Sequence, residues 1–364
     1  MSTLVPGVWR GLVAFGVIAA LAGGASAQEK KPEPGNQEEI RALLTLTDEA
    51  ATGKATNSLA LKWEQHHFIK SHGDKTYVPF TVSLDRAAFA APTPAGLYLR
   101  VAKRGELPPT AAAAASKDAD KKKKKDKKDD VKGTGSQVDA RQQYPFEDVY
   151  FIDIPAPVAG QPQLLRRAFA VSPGDYDVYV ALKEKPAPGA TASPKIGVLK
   201  YELTVPSLDG ELTTSSVITA AKIDLLQSEL APDRQAENPY TFGTIKISPS
   251  LDNKFKKADE FNIMFWIYGA VADAAKKPNI EVDYAFHQKT AEGEKFFNKT
   301  EPQIMNAETL PPQFDLAAGH QLTGSLAVPL ASFPEGDFRL ELKVNDKVSG
   351  KTVTRESTFS VAAQ

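Results

Sequence analysis

The chain has 364 residues, 42% of them hydrophobic and 24% charged, with 44 Lys and Arg against 45 Asp and Glu and no cysteine. At about 100–200 residues per domain, this length suits two or three domains. The balanced charge excludes a general electrostatic grip on nucleic acid or anionic lipid. Zero cysteine excludes disulfides, thiol catalysis, iron–sulfur clusters and Cys-ligated zinc.

Residues 1–27 read as a signal peptide. Arg10 precedes an uncharged apolar run from Gly11 to Gly23, and Ala25-Ser26-Ala27 follows as a small-x-small cleavage signal. The run is about 13 residues where a bilayer core needs about 20, so an uncleaved anchor is the weaker reading. No later stretch is long and apolar enough to span a membrane. The expected product is periplasmic or secreted, with no membrane span after cleavage.

Residues 28–54 form a leader with a short helix. Gln28–Asn36 is polar and Pro-rich, and Gln37–Ala51 carries Ile40, Leu43, Leu44 and Thr47 near helical spacing, ending near Gly53.

From Leu59 the period changes to two. Leu59, Leu61 and Trp63 alternate with polar neighbours, the turn residues Ser71-His72-Gly73-Asp74 follow, and Val78, Phe80, Val82 and Leu84 alternate again, the pattern of a β-hairpin. Further strands are expected over 97–103, 147–154, 164–171, 175–183 and 196–205. About seven short strands without intervening helices predict an immunoglobulin-like antiparallel β-sandwich over residues 55–207.

One insertion, residues 106–143, interrupts it. Between Lys117 and Lys132 there are nine Lys and five Asp, a local charge of +4 with almost nothing to bury. This predicts a disordered loop, a solvated spacer before a basic tether. Interleaved Asp and the lack of aromatics speak against nucleic acid.

A second sandwich is expected over 208–364. Its strands fall at 213–223, 241–247, 261–268, 280–287, 322–328, 338–344 and 352–361, and 292–314 reads as irregular, with Pro302, Pro311 and Pro312. The halves share a late motif. Ser172-Pro173-Gly174-Asp175-Tyr176 matches Phe333-Pro334-Glu335-Gly336-Asp337-Phe338, at an offset of 337 minus 175, or 162 residues. A repeat at that spacing predicts tandem domains of similar fold. Tyr176 could make a tyrosine-corner bond, which Phe338 cannot. The predicted class is therefore all-β, two tandem immunoglobulin-like antiparallel sandwiches.

The run Trp63…Lys75-Thr76-Tyr77-Val78-Pro79-Phe80-Thr81 and the segments Pro334–Leu340 and Thr358–Val361 resemble secreted acidobacterial proteins. There such sandwiches sit beside von Willebrand factor A-type or GWxTD-type regions. The chain has neither a GWxTD sequence nor an Asp-x-Ser-x-Ser metal motif. The resemblance implies an envelope or secreted β-sandwich protein and carries over no catalytic residue.

No catalytic, cofactor or metal residue is expected. His66 and His67 would point to opposite faces of a strand, and His72 lies in a turn, so a zinc site of His66, His72 and Asp74, serving a hydrolase, is the remote alternative. There is no Gly-x-Ser-x-Gly elbow and no HExxH helix. One feature stands out. Phe261–Tyr268 is apolar on both faces, Phe261, Ile263, Phe265 and Ile267 on one and Met264, Trp266 and Tyr268 on the other. A sandwich strand normally buries one face. The second face either packs within the chain or, extended by Tyr284 and Phe286, forms an interaction surface for an envelope protein or a glycan. Strand addition at a sheet edge is a further route to a partner.

Overall fold

A computed structural model describes residues 34–362 apart from 55, 86–88, 90, 107–143, 160, 162, 188 and 190. The expected signal peptide and nearly all of the Lys/Asp-rich insertion lie outside the described residues. No helix among the described residues is long and apolar enough to cross a membrane.

Helix α1 spans Pro34–Ala51, opening three residues before the position its apolar spacing suggested. Proline's fixed φ suits a first turn, so Pro34 extends the helix rather than blocking it. Gly53, at φ +83°, ends it. The Lys54 amide bonds to Glu49 O at 2.9 Å and the Gly53 amide to Ala50 O at 3.0 Å, the paired bonds of a Schellman cap. Leu43 and Ala50 bury against Tyr98, Ala102, Tyr179, Ala181 and Val198. Arg100, only 4% exposed, donates from Nη1 to Asp48 at 2.5 Å and from Nε to Tyr98 Oη at 3.0 Å. A guanidinium removed from water needs such partners, so these bonds fix where the helix sits.

The first sandwich has eight strands: β1 (Lys62–His66), β2 (Ile69–Lys70), β3 (Thr76–Leu84), β4 (Thr93–Lys103), β5 (Phe146–Ile154), β6 (Gln163–Val171), β7 (Gly174–Glu184) and β8 (Ile196–Val205). In one sheet β1 and β2 flank one side of β3 and β6 the other; the second sheet runs β5-β4-β7-β8. All pairings are antiparallel. Val78, Phe80 and Val82 face Leu97, Leu99, Val101, Val178 and Val180 across the core. Trp63 stacks between Phe80 at 4.6 Å and Tyr201 at 4.4 Å. The tyrosine corner forms, Tyr176 Oη donating to Ser172 O at 2.8 Å.

The second sandwich repeats this scheme. Its strands are β9 (Thr213–Thr214), β10 (Ile218–Leu225), β11 (Thr241–Phe242), β12 (Ile245–Pro249), β13 (Lys254–Lys256), β14 (Glu260–Tyr268), β15 (Ile280–Thr290), β16 (Gly293–Lys299), β17 (Gln303–Met305), β18 (Leu322–Pro329), β19 (Gly336–Asp346) and β20 (Thr352–Ala362). A short helix α2 (Pro232–Gln235) lies between β10 and β11. Strands β9 and β10 flank β14 as β1 and β2 flank β3, with β18 on the far side. Strands β16 and β17 flank β15, which continues to β19 and β20. Strands β11 and β12 prolong the first sheet, and β13 runs parallel to β20. The core is a phenylalanine cluster in which Phe359 stacks on Phe261 at 4.1 Å and on Phe338 at 5.3 Å. Phe338 uses only the packing half of the shared motif, as its missing hydroxyl requires.

The stretch 292–314, expected to be irregular, contains β16 and β17. Nearly every residue of β16 is exposed on this edge strand, so its sequence carries no apolar rhythm. The expected single strands 213–223 and 241–247 each split in two. The break in the first follows from Ser215, whose amide and hydroxyl bond the Trp266 backbone.

Candidate functional site

The sequence leaves the face of Met264, Trp266 and Tyr268, extended by Tyr284 and Phe286, as either packed within the chain or an interaction surface, and the structure buries all five. Tyr284 (2% exposed) and Phe286 (1%) lie in the core of the second sandwich with Phe261 and Phe338. On β15 they alternate with the polar Asp283 and His287, so the ladder turns them inward. Met264 (3%), Trp266 (1%) and Tyr268 (7%) point outward from the core of their sandwich, but residues of the first sandwich together with Tyr240 and Phe242 cover them.

This joint is built from both halves. Phe68, Ile69 and Tyr77 of the first sandwich and Leu208 of the linker pack with Ile218, Ile245, Ile247, Met264 and Trp266 of the second. Tyr240, just before β11, and Phe242, on it, insert between the sheets. Phe242 packs edge-on to Trp266 at 4.7 Å and to Tyr77 at 6.4 Å. Each such side chain taken out of water contributes about 1.5–3 kcal/mol.

Polar groups set the register of the joint. The Phe68 amide bonds to Ser216 Oγ at 2.8 Å and the Ser216 amide to Phe68 O at 2.9 Å. Tyr77 Oη donates to Pro239 O at 2.9 Å, and the Lys70 amide donates to Tyr268 Oη at 3.1 Å. Tyr240 Oη lies 3.1 Å from Pro79 O and 2.9 Å from His67 Nδ1. The hydroxyl has one proton. Giving it to Pro79 O leaves the oxygen to accept from His67 Nδ1–H. Burial pushes the His67 pKa down to about 3, with the neighbouring His66 adding to the effect. Burial likewise raises the phenol pKa values of Tyr240 and Tyr268. One cost is left in the joint: Trp266 Nε1 is buried without a hydrogen-bond partner.

The histidines do not converge. His66 Nδ1 accepts from Trp63 Nε1 at 3.1 Å, whereas His67 faces Tyr240 across the joint. No group of three or more potential metal ligands is brought together among the described residues.

Beside the joint the two sandwiches part, leaving a cleft of about 900 Å³. Its first wall is the β5–β6 connection, with Pro155, Pro157 and Val158, and the start of β6, with Gln163, Leu164 and Arg166. The facing wall comes from β10, the β12–β13 turn and the start of β14, including Ile223, Leu251, Lys254 and Glu260. Gln163 is 5% exposed. Its amide nitrogen donates to Pro155 O at 2.6 Å, but its Oε1 is buried without a partner. Arg166 Nε is also buried and unpartnered, and desolvation lowers the guanidinium pKa. Sequence reasoning missed this cleft. Arg166-Arg167 in an alternating strand was its only signal, and two arginines on a strand read as a solvent face.

No family model matches the chain, and no curated protein matches it. Among solved structures it is similar to trypsin-activated alpha-2-macroglobulin from Escherichia coli, at 9% identity and a TM-score of 0.21, covering 85% of this chain and 17% of that one. It is similar to the elastase-activated Escherichia coli alpha-2-macroglobulin at 12% identity and a TM-score of 0.22, covering 81% and 22%. It is also similar to dimeric latent PorU from Porphyromonas gingivalis at 10% identity and a TM-score of 0.25, covering 87% and 21%. The chain thus spans about a fifth of the length of these structures, and likenesses this loose assign neither a fold nor an activity.

Proposed function

We propose that this chain is an exported, non-catalytic protein of two immunoglobulin-like sandwiches that works by binding or assembly in the bacterial envelope. The observation that carries this reading is the joint. An aromatic cluster with matched backbone bonds sets the two sandwiches side by side, and the chain thereby holds open a cleft with a strand edge along it. Such geometry suits presentation of a fixed surface to a partner. The leader with Ala25-Ser26-Ala27 supports export, to the periplasm or beyond.

Sugar stacking through Trp266 and Tyr268 loses its basis, because both rings are spent inside the joint. For a metal-assisted hydrolase using His66 and His72, no converging ligand set is found among the described residues. The test is photo-cross-linking in envelope preparations, with a cross-linker placed at Val158 or at Leu251 on the rims of the cleft. The reading expects a discrete cross-linked product from these positions and none from Thr354 on the far face of the second sandwich. Equal, diffuse labelling at all three would remove it.

A further inference from the structure

The cleft between the sandwiches has a chemistry of its own. Among the described residues, strand β6 is the last strand of its sheet and pairs only with β3. Its cleft-lining residues come from both faces of the strand, Gln163 from one and Leu164 and Arg166 from the other. The cleft therefore meets β6 at its edge, where a strand carries unpaired N–H and C=O groups.

The charges along the cleft are unevenly committed. Asp252 and Asp259 accept turn amides from Lys254 and Lys256, and Lys222 pairs with Asp224 at 2.6 Å. The remaining charges are Arg166, Lys254 and Glu260, whose side chains make no hydrogen bond or ion pair among the described residues, Arg166 only lying near the Tyr240 hydroxyl. Of these three, Arg166 is the deepest and carries an unmade bond at a buried nitrogen. A buried donor and a buried acceptor left unmade are each costly, and an occupant that completes them relieves that cost. Arg166 needs an acceptor and Gln163 Oε1 needs a donor. A polypeptide strand offers both, and an acidic side chain on it supplies the charged acceptor that the Arg166 guanidinium lacks.

We propose that the cleft takes an extended acidic peptide, added along the open edge of β6, with a carboxylate of the peptide on Arg166 and a peptide N–H on Gln163 Oε1. The apolar rims, Val158, Ile223 and Leu251, would hold the alternate side chains of that strand. This deepens the binding reading and rests on it.

The test is fluorescence anisotropy of the full chain with a labelled alternating Val-Glu peptide of roughly eight residues, a usual strand length. A Val-Lys peptide, a Val-Glu peptide interrupted by proline and sodium acetate serve as comparisons. The Val-Glu peptide should bind, the Val-Lys and proline peptides should not, and acetate should not compete. Arg166→Gln should weaken binding at least about tenfold and the exposed Lys254→Ala about threefold, as loss of a charge-assisted bond and of a more distant charge would. Unchanged thermal unfolding of Lys254→Ala keeps the test valid if Arg166→Gln folds poorly. No binding, or affinity within about twofold in both variants, overturns the proposal. Equal binding of the proline peptide or competition by acetate shows an anion pocket instead and overturns strand addition. If the peptide fails while rim cross-links to an envelope partner persist, the strand inference falls alone.

Discussion

Acidification should loosen the joint, and His67 sets the size of the effect. The His67 ring is buried at the contact between sandwiches, with Tyr240 facing it, His66 beside it in the chain and Arg166 beyond Tyr240. Its folded pKa is about 3, against an ordinary value of 6.5. A histidine with a depressed folded pKa is favoured neutral, so its full stabilisation is present above pH 6.5. That stabilisation is lost as pH falls from 6.5 towards 3, because the unfolded chain binds the proton first. At pH 5 the unfolded ring is almost fully charged while the folded ring stays neutral, which costs about 2 kcal/mol relative to neutral pH. A folded pKa of 4 would leave that figure nearly unchanged, since protonation is still minor at pH 5. The assay is urea unfolding at pH 7.5 and pH 5 for the parent chain and for His67→Asn, which keeps a donor towards Tyr240 without titrating. The parent should lose about 2 kcal/mol more than the variant on acidification. An equal loss in both would refute the placement of a neutral, buried imidazole in the joint.

Three further outcomes follow from the packing. Trp266→Ala, which empties the centre of the joint, should cost about 3–5 kcal/mol and speed hydrogen exchange on both sides of it, at Phe68 and Ser216; exchange unchanged at Phe68 would contradict the shared core. Tyr176→Phe should remove only the bond to Ser172 O and cost about 1 kcal/mol in chemical unfolding, with the fold kept; a loss several times larger would mean that the corner does more than cap a turn. Gly324→Ala should destabilise by about 1–3 kcal/mol, because the added Cβ would fall 2.0 Å from Phe265 Cζ, and an unchanged melting temperature would show that the ring can move aside.

Much of this architecture was legible in the chain because alternation reports which side of a strand is buried. Strand β8 occupies 196–205 as the pattern of Val198, Leu203 and Val205 implied, and the shared Gly-Asp-aromatic turn implied two halves of similar fold, which share a strand order in the structure. Where alternation has nothing to report, it failed. Strand β16 turns only Phe297 partly inward, so GEKFFNK looks like a loop. The double apolar face of Phe261–Tyr268 was visible, but apolarity shows only that a face is covered, not by what. Tyr240, Phe242 and the Phe68-Ile69 pair cover it, and they lie far away in sequence or in segments too short to show a period. The cleft was invisible for the converse reason. Gln163 and Arg166 are ordinary polar residues until the second sandwich closes over them and leaves their bonds unmade.

The central claim is that the Trp266 joint holds the two sandwiches as one rigid unit. The chain has no cysteine, so Glu202→Cys and Lys299→Cys, on exposed strand positions of the two sandwiches, accept spin labels cleanly. Pulsed electron paramagnetic resonance on that pair should give one narrow distance distribution, which broadens when Trp266→Ala is added. A broad distribution in the otherwise unmodified chain would contradict the claim.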